Sequence, residues 1–198
     1  MTGSRRERDP DWDVLTRVAE GDVESFGVLV ERHQERLIRL CERMLGDSEE
    51  ARDAAQEVFL KAFGKAGSFR PRGRVYTWLY RIAVNHCLNR LRRRRLIRFL
   101  PLAEAGEARA GDRPAADLEP PDDAPDAAAR LAARERWLHT RRVIDRLPPG
   151  QRAVLVLAKF EGLSYRRIAE TLGITESAVE SRLFRAMQRL VAAQEKVS

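Results

Sequence analysis

The segment from Lys61 to Arg98 contains no acidic residue, and apolar residues recur along its second half at helical spacing. On a helix of about 3.6 residues per turn they fall on two sides. One side carries Val75, Leu79, Ile82 and His86, and the other carries Tyr80, Val84, Cys87 and Leu91. A narrow polar stripe between them carries Arg74, Arg81, Asn85 and Arg92, with Trp78 at its border. A helix with two apolar sides is expected at the centre of an all-α bundle.

Positive charge in this segment is uninterrupted and is mixed with aromatic residues. The cations are Lys61, Lys65, Arg70, Arg72, Arg74, Arg81, Arg90, Arg92, Arg93, Arg94, Arg95 and Arg98, and the aromatic residues among them are Phe69, Tyr76, Trp78 and Tyr80. A basic run is often only a solvated surface. Here the aromatic residues and the net charge of +7 favour a nucleic-acid partner, because cations hold phosphates while aromatic rings stack on unpaired bases.

The rest of the chain divides into helical parts and an acidic linker. Apolar periodicity and turn residues predict helices before the basic segment, so that residues 10–100 form a first all-α domain. Residues 101–129 are rich in Ala, Pro, Gly and acids and have few large apolar side chains, which predicts a flexible acidic linker. Helices return in residues 130–195, which form a second all-α domain.

The last third of the chain has the pattern of a helix-turn-helix. Ser164 is a candidate N-cap for one helix, Gly173 a turn residue, and Thr175 an N-cap for the next helix. Val179 and Leu183 begin the apolar face of that last helix. Its other side chains would face the major groove of DNA.

Composition argues against several classes of site. Cys41 and Cys87 lie in apolar helical patterns without metal-ligand or CxxC spacing, so we interpret both as core residues. His33, His86 and His139 are scattered, and no pattern predicts a catalytic group, a metal site or a cofactor. No apolar run is long enough to span a bilayer and no signal peptide is evident, so we expect a cytoplasmic protein without membrane insertion.

Taken together, these motifs resemble the extracytoplasmic-function (ECF) sigma factors of the sigma-70 family of bacterial RNA polymerase subunits. The resemblance covers nearly the whole chain. Residues 53–61 resemble the polymerase-binding segment of that family, and residues 77–85 its DNA-melting helix. The pattern from Leu147 through Gly162, Ser164 and Gly173 to Ala186 resembles its fourth region.

The resemblance implies a non-enzymatic initiation factor with three partners. Core polymerase would be bound at its clamp helices and flap, with the clamp contact through Asp53, Gln56, Glu57, Phe59, Leu60 and Lys61. Single-stranded minus-ten promoter DNA would be read by Ser68, Phe69, Arg70, Arg72, Arg74, Trp78, Arg81 and Asn85. The duplex minus-thirty-five element would be read by Ser177, Glu180, Ser181, Arg182, Phe184 and Arg185. Promoter DNA, with these two elements, is thus the second partner. The third partner would be an anti-sigma factor.

Two other functions remain open from the residues alone. One is a helix-turn-helix regulator that acts without polymerase, and the other is an RNA-binding or anti-termination protein. Trp78 borders both the polar stripe and the apolar side, so it serves either as a base-stacking residue or as core. Glu180 departs from the basic residue usual in the family and either reads a base or pairs with Arg185 or Lys159.

Overall fold

The computed structural model describes residues 9–69, 74–99 and 127–195, and in these residues it contains eight α-helices and no strand. The helices are α1 (Asp11–Ala19), α2 (Glu24–Leu45), α3 (Ser48–Lys65), α4 (Val75–Phe99), α5 (Ala127–Arg146), α6 (Pro149–Leu155), α7 (Tyr165–Leu172) and α8 (Glu176–Gln194). A 3₁₀ turn, Ala66–Ser68, follows α3, and a π-helical turn, Val156–Phe160, continues α6. The predicted all-α fold is confirmed.

Helices α1–α4 form an N-terminal bundle whose breaks follow from local sequence. Asp22 accepts a hydrogen bond from the backbone N–H of Ser25 at 3.1 Å, as an N-cap does at the start of α2. Gly46 ends α2 with a φ of 81°, a left-handed conformation that glycine adopts without strain. Asp47 then caps α3 by accepting from the N–H of Glu50 at 2.9 Å. The end of α2 at Gly46 and the start of α3 after Asp47 together define the helical hairpin of α2 and α3.

Helix α4 is buried on two sides, as its two apolar groups predict. Val75 and Leu79 pack with Leu15 and Leu29 from α1 and α2 in one cluster. Tyr80, Val84 and Cys87 belong to a second cluster, which also contains Cys41. Both cysteines are fully buried and reduced, as predicted for core residues.

Helices α5–α8 form a C-terminal bundle in which the predicted helix-turn-helix is confirmed. Ser164 accepts from the N–H of Arg167 at 3.4 Å and caps α7, and Thr175 accepts from the N–H of Ala178 at 3.2 Å and caps α8. Between them Gly173 ends α7 with a φ of 65°. Val179, Leu183 and Ala186 are the buried face of α8.

The two bundles pack against each other, which the sequence pattern does not predict. The larger hydrophobic cluster includes Leu40 and Val84 from the N-terminal bundle together with Leu155 and Ile168 from the C-terminal bundle. Most of the expected acidic linker, residues 101–126, lies outside the described residues. Within the described part, α5 begins at Ala127.

Candidate protein and nucleic-acid interfaces

One face of α3 presents the residues that we expect to contact another protein. Asp53, Gln56 and Leu60 follow each other at spacings of three and four residues and are all exposed, Leu60 to 73%. The opposite face is lined by small or branched residues, Ala51, Ala54, Ala55, Val58 and Ala62, which let α3 pack closely on α2 and α4. The exposed face therefore serves no packing purpose within the bundle.

Phe59 differs from its neighbours on α3 because its ring points into the bundle. It is 8% exposed and lies edge-on to Phe26, with ring centroids 6.2 Å apart. The sequence predicts Phe59 as a residue of the polymerase contact, and in the structure its ring packs inside the bundle and holds α3 in place. Phe63, 38% exposed, is the aromatic residue that reaches the surface.

Glu57 and Lys61 lie in a charged cluster between α3 and α4. The Lys61 Nζ atom lies 2.5 Å from Nδ1 of His86 and 3.5 Å from a carboxylate oxygen of Glu57. Glu57 also lies within 3.8 Å of Arg90, so it has more partners than the single i,i+4 pair that its spacing suggests. Burial, and then the positive charge of Lys61, lower the pKa of His86. The neutral ring can accept a hydrogen bond from the Lys61 ammonium.

The polar stripe of α4 is open to solvent. Arg74, Arg81 and Asn85 are exposed, and Trp78 is half-buried at the border of the stripe. The Trp78 ring packs edge-on against Phe69 at 5.4 Å, which holds the loop after α3 close to the stripe. Ser68 is exposed and its hydroxyl donates to the carbonyl of Lys65. Arg70 and Arg72 lie outside the described residues.

Asp9 is a residue of this site that sequence reasoning missed. Its carboxylate accepts a hydrogen bond from the backbone N–H of Val75 at 2.8 Å, at the start of α4. A capping residue normally lies next to its helix in sequence. No local signal near Val75 points to a residue 66 positions earlier.

The outward face of α8 presents a mixed polar and aromatic surface. Ser177, Glu180, Phe184 and Arg185 are exposed, Phe184 to 62%, and Ser181 and Arg182 are half-buried. Arg185 donates to the Ser181 hydroxyl at 3.0 Å. Glu180 is exposed to solvent, and among the described residues no ion pair joins it to Arg185 or Lys159.

Sequence reasoning also missed a buried charged cluster between the two bundles, which we call the Glu161 cluster. The carboxylate of Glu161, with its side chain only 2% exposed, accepts from the Tyr80 hydroxyl at 2.6 Å, from Arg43 at 3.0 Å and from Arg36 at 3.4 Å. Burial, and then the bond to Glu161, raise the pKa of Tyr80 far above its ordinary value. Tyr80 is therefore a permanent donor to Glu161.

Within the three described ranges, no group of His, Cys, Asp and Glu side chains is arranged to hold a metal ion. None of the helices described is long and apolar enough to cross a membrane.

Comparison with known proteins identifies the family to which this chain belongs. The family model for Sigma-70 region 2 matches residues 29–97, and the model for Sigma-70, region 4 matches residues 140–190. The chain is 37% identical to RNA polymerase sigma-H factor of Pseudomonas aeruginosa, over 92% of this chain and 93% of that protein. It is 38% identical to ECF RNA polymerase sigma factor SigM of Mycobacterium tuberculosis, over 95% of this chain and 86% of that protein.

A solved structure supports the same assignment over the whole fold. CnrH, in complex with the cytosolic domain of CnrY, superposes with a TM-score of 0.64 at 26% identity, covering 96% of this chain and 100% of that chain. The region 2 match contains the exposed face of α3 and the stripe of α4, and the region 4 match contains the helix-turn-helix. The chain therefore belongs to the sigma-70 family of RNA polymerase sigma factors, in its ECF subfamily.

Proposed function

We propose that this sigma factor binds core RNA polymerase through α3, reads the melted minus-ten element with α4 and reads the minus-thirty-five duplex with α8. The observation that carries the proposal is the presence of three exposed surfaces on helices whose other faces are buried. Each lies within a stretch that matches a sigma region model. The chain acts without catalysis of its own.

The α3 face has the composition expected of a protein contact. Leu60 and Phe63 provide exposed apolar area, and Asp53 and Gln56 lie beside them as polar groups. An apolar centre with a polar rim is the usual arrangement in protein interfaces. The clamp helices of the polymerase are the partner that we propose for this face, and the flap is the partner for the C-terminal bundle.

The α4 stripe suits a single strand better than a duplex. Arg74 and Arg81 can hold phosphates, and Asn85 can hydrogen-bond to the edge of a base. Trp78 is only half-buried, so its exposed face can stack on an unpaired base, a contact worth about 1–3 kcal/mol. We therefore propose both a packing role and a stacking role for Trp78.

The α8 face suits a duplex groove. Helix-turn-helix proteins read base edges with the first turns of the second helix, which here carry Ser177, Glu180 and Ser181. Solvent exposure of the Glu180 carboxylate supports a direct contact with the amino group of a cytosine. Arg182 and Arg185 follow on the same helix and can contact phosphates.

We further propose the limits of the two domains, a regulatory partner and the cellular location of this chain. Residues 10–100 and 130–195 act as the two functional domains, and residues 101–129 connect them. CnrH is bound by the cytosolic domain of another protein, which supports a regulatory protein partner here, an anti-sigma factor as the family resemblance implies. Because core polymerase acts in the cytoplasm, this chain acts there too.

A run-off transcription assay tests the proposal. Purified core polymerase is mixed with a library of duplex templates, with and without this chain, and the transcripts are sequenced. We expect initiation at a defined subset of templates that share two elements, and only when the chain is present. A regulator that does not bind polymerase would leave the transcript set of the core enzyme unchanged.

A further inference from the structure

A small cavity lies where α5 faces α2. Part of its wall is apolar, because Trp137 of α5 and Phe160 of the π-helical turn line it and their rings pack edge-on with centroids 6.2 Å apart. The cavity offers a water-sized molecule about 20 Å³ of room. One buried water needs about 10–15 Å³ of such room. The space therefore suits a single water molecule and excludes a larger ligand.

The rest of the wall is charged. Glu42 and Arg43 line the cavity from α2, and Arg141 and Asp145 line it from α5. A buried ion needs an opposite charge beside it. Here two carboxylates face two guanidinium groups, so the charges of the wall already balance and no ion is needed to neutralise them. This charge pattern favours a neutral polar ligand.

Three polar atoms of these side chains are buried and have no hydrogen-bond partner among the described residues. They are Oε1 of Glu42, Nε of Arg43 and Nη1 of Arg141. Such atoms are rare in folded proteins, because a buried polar group without a hydrogen bond loses its hydration and gains nothing in return. All three belong to residues that line one cavity, which indicates a shared partner inside it.

The distances around these atoms support the same partner. Nη2 of Arg141 lies 3.6 Å from Oε1 of Glu42, which is longer than the roughly 2.7–3.2 Å of an N–H···O hydrogen bond. Polar groups at such a distance are often bridged by water. Arg43 already donates through Nη1 to Glu161 at 3.0 Å, so its Nε–H is the donor that is left for the cavity.

We propose that this cavity binds one structural water molecule, which joins α2 to α5. The water donates to Oε1 of Glu42 and accepts from Nε of Arg43 and Nη1 of Arg141. It thus makes three hydrogen bonds, the usual number for a buried water. Its second hydrogen is left for the Asp145 carboxylate, which lines the same cavity. None of these residues belongs to the proposed polymerase or DNA surfaces, so this inference does not depend on the proposed function.

A crystal structure of the full chain that resolves ordered water tests the site. We expect one peak of water density within about 2.7–3.2 Å of Oε1 of Glu42 and of at least one of the two guanidinium nitrogens, Nε of Arg43 and Nη1 of Arg141. Absence of this peak would overturn the proposal, and so would a structure in which these side chains bond to one another directly.

Magnetic relaxation dispersion of the water oxygen nucleus, which counts long-lived buried waters, tests the site in solution. Glu42→Met with Arg141→Met replaces two polar partners by apolar side chains, so we expect one long-lived water fewer than in the wild type. Glu35→Met with Arg39→Met is the matched control: it makes the same two changes at an exposed pair on α2 and should leave the number unchanged. Glu42→Gln keeps an acceptor oxygen and should keep the water. Equal numbers for the wild type and E42M with R141M would overturn the proposal.

Discussion

The carboxylate of Asp9 accepts hydrogen bonds from the backbone N–H groups of Val75, at 2.8 Å, and of Asp11, at 3.1 Å. One side chain thus caps both α4 and α1. Backbone N–H groups at a helix start have no partner within the helix, and a side-chain acceptor stabilises them. The orientation of the proposed DNA-melting helix therefore depends on a residue 66 positions earlier in the chain.

Asp9→Ala should lower the thermal stability of the protein. Loss of an N-cap costs about 0.5–2 kcal/mol. For a chain of this size, 1 kcal/mol corresponds to a shift of about 2–4 °C in Tm. Thermal unfolding followed by circular dichroism measures the shift, with Glu20→Ala, an exposed acid at the end of α1, as the control. Equal Tm values for the two variants would contradict the capping role.

Arg74→Ala with Arg81→Ala should weaken binding to melted promoter DNA. Each lost phosphate contact on a single strand should reduce the slope of log affinity against log salt by about 0.7. Affinity of the polymerase complex for duplex and pre-melted templates is measured across a salt series. Arg17→Ala with Arg142→Ala removes the same charge from exposed positions on other helices. An unchanged affinity on the pre-melted template would show that the stripe does not touch the single strand.

Glu180→Lys should change the preferred minus-thirty-five sequence at one base pair. A lysine cannot accept a hydrogen bond from cytosine, so a discrimination of about 1–3 kcal/mol is lost there. Overall binding should also become tighter and more salt-dependent. Selection from a randomised duplex pool, with Glu170→Lys as the charge-matched control, measures both effects. If E180K and the wild type select the same sequence, Glu180 reads no base.

Lys61→Met should raise the pKa of His86. Burial contributes most to the lowered pKa of this ring, and the positive charge of Lys61 contributes next, so only part of the shift is removed. A histidine with a lowered pKa takes up its proton more readily in the unfolded state, so stability falls as pH drops below about 6.5. That loss should be smaller in K61M. NMR titration of the His86 ring measures the pKa, and Lys65→Met is the control. Identical titration curves would contradict the role of Lys61.

Local sequence accounts for much of the fold, because caps and turns act between neighbouring residues. Ser164, Gly173 and Thr175 predict the helix-turn-helix, and the two apolar groups of α4 predict its central position. Tyr80 is correctly assigned to a buried side, but its partner Glu161 lies 81 positions away. The apolar side of α4 that carries Tyr80 and Val84 packs partly on the C-terminal bundle, and periodicity does not say which neighbour covers an apolar side.

In the candidate site too, the position of some residues follows from the sequence and the position of others depends on tertiary packing. Exposure of Asp53, Gln56 and Leu60 follows from helical spacing. Burial of Phe59 does not, because Phe59 and Phe63 are both apolar and both rings contact Phe26, yet only Phe59 is buried. The contact between Asp9 and Val75 could not be predicted from the sequence either, because only the tertiary fold brings these two segments together.

The affinity of this chain for core RNA polymerase, measured for one pair of double variants, tests the central claim most directly. Asp53→Ala with Gln56→Ala changes an acid and an amide three residues apart on the exposed face of α3, and Glu31→Ala with Gln34→Ala makes the same change on an exposed face of α2. Both variants should melt within a few degrees of the wild type. We expect a clearly raised Kd for the α3 variant and a wild-type Kd for the α2 variant. An unchanged Kd for the α3 variant would contradict polymerase binding through α3.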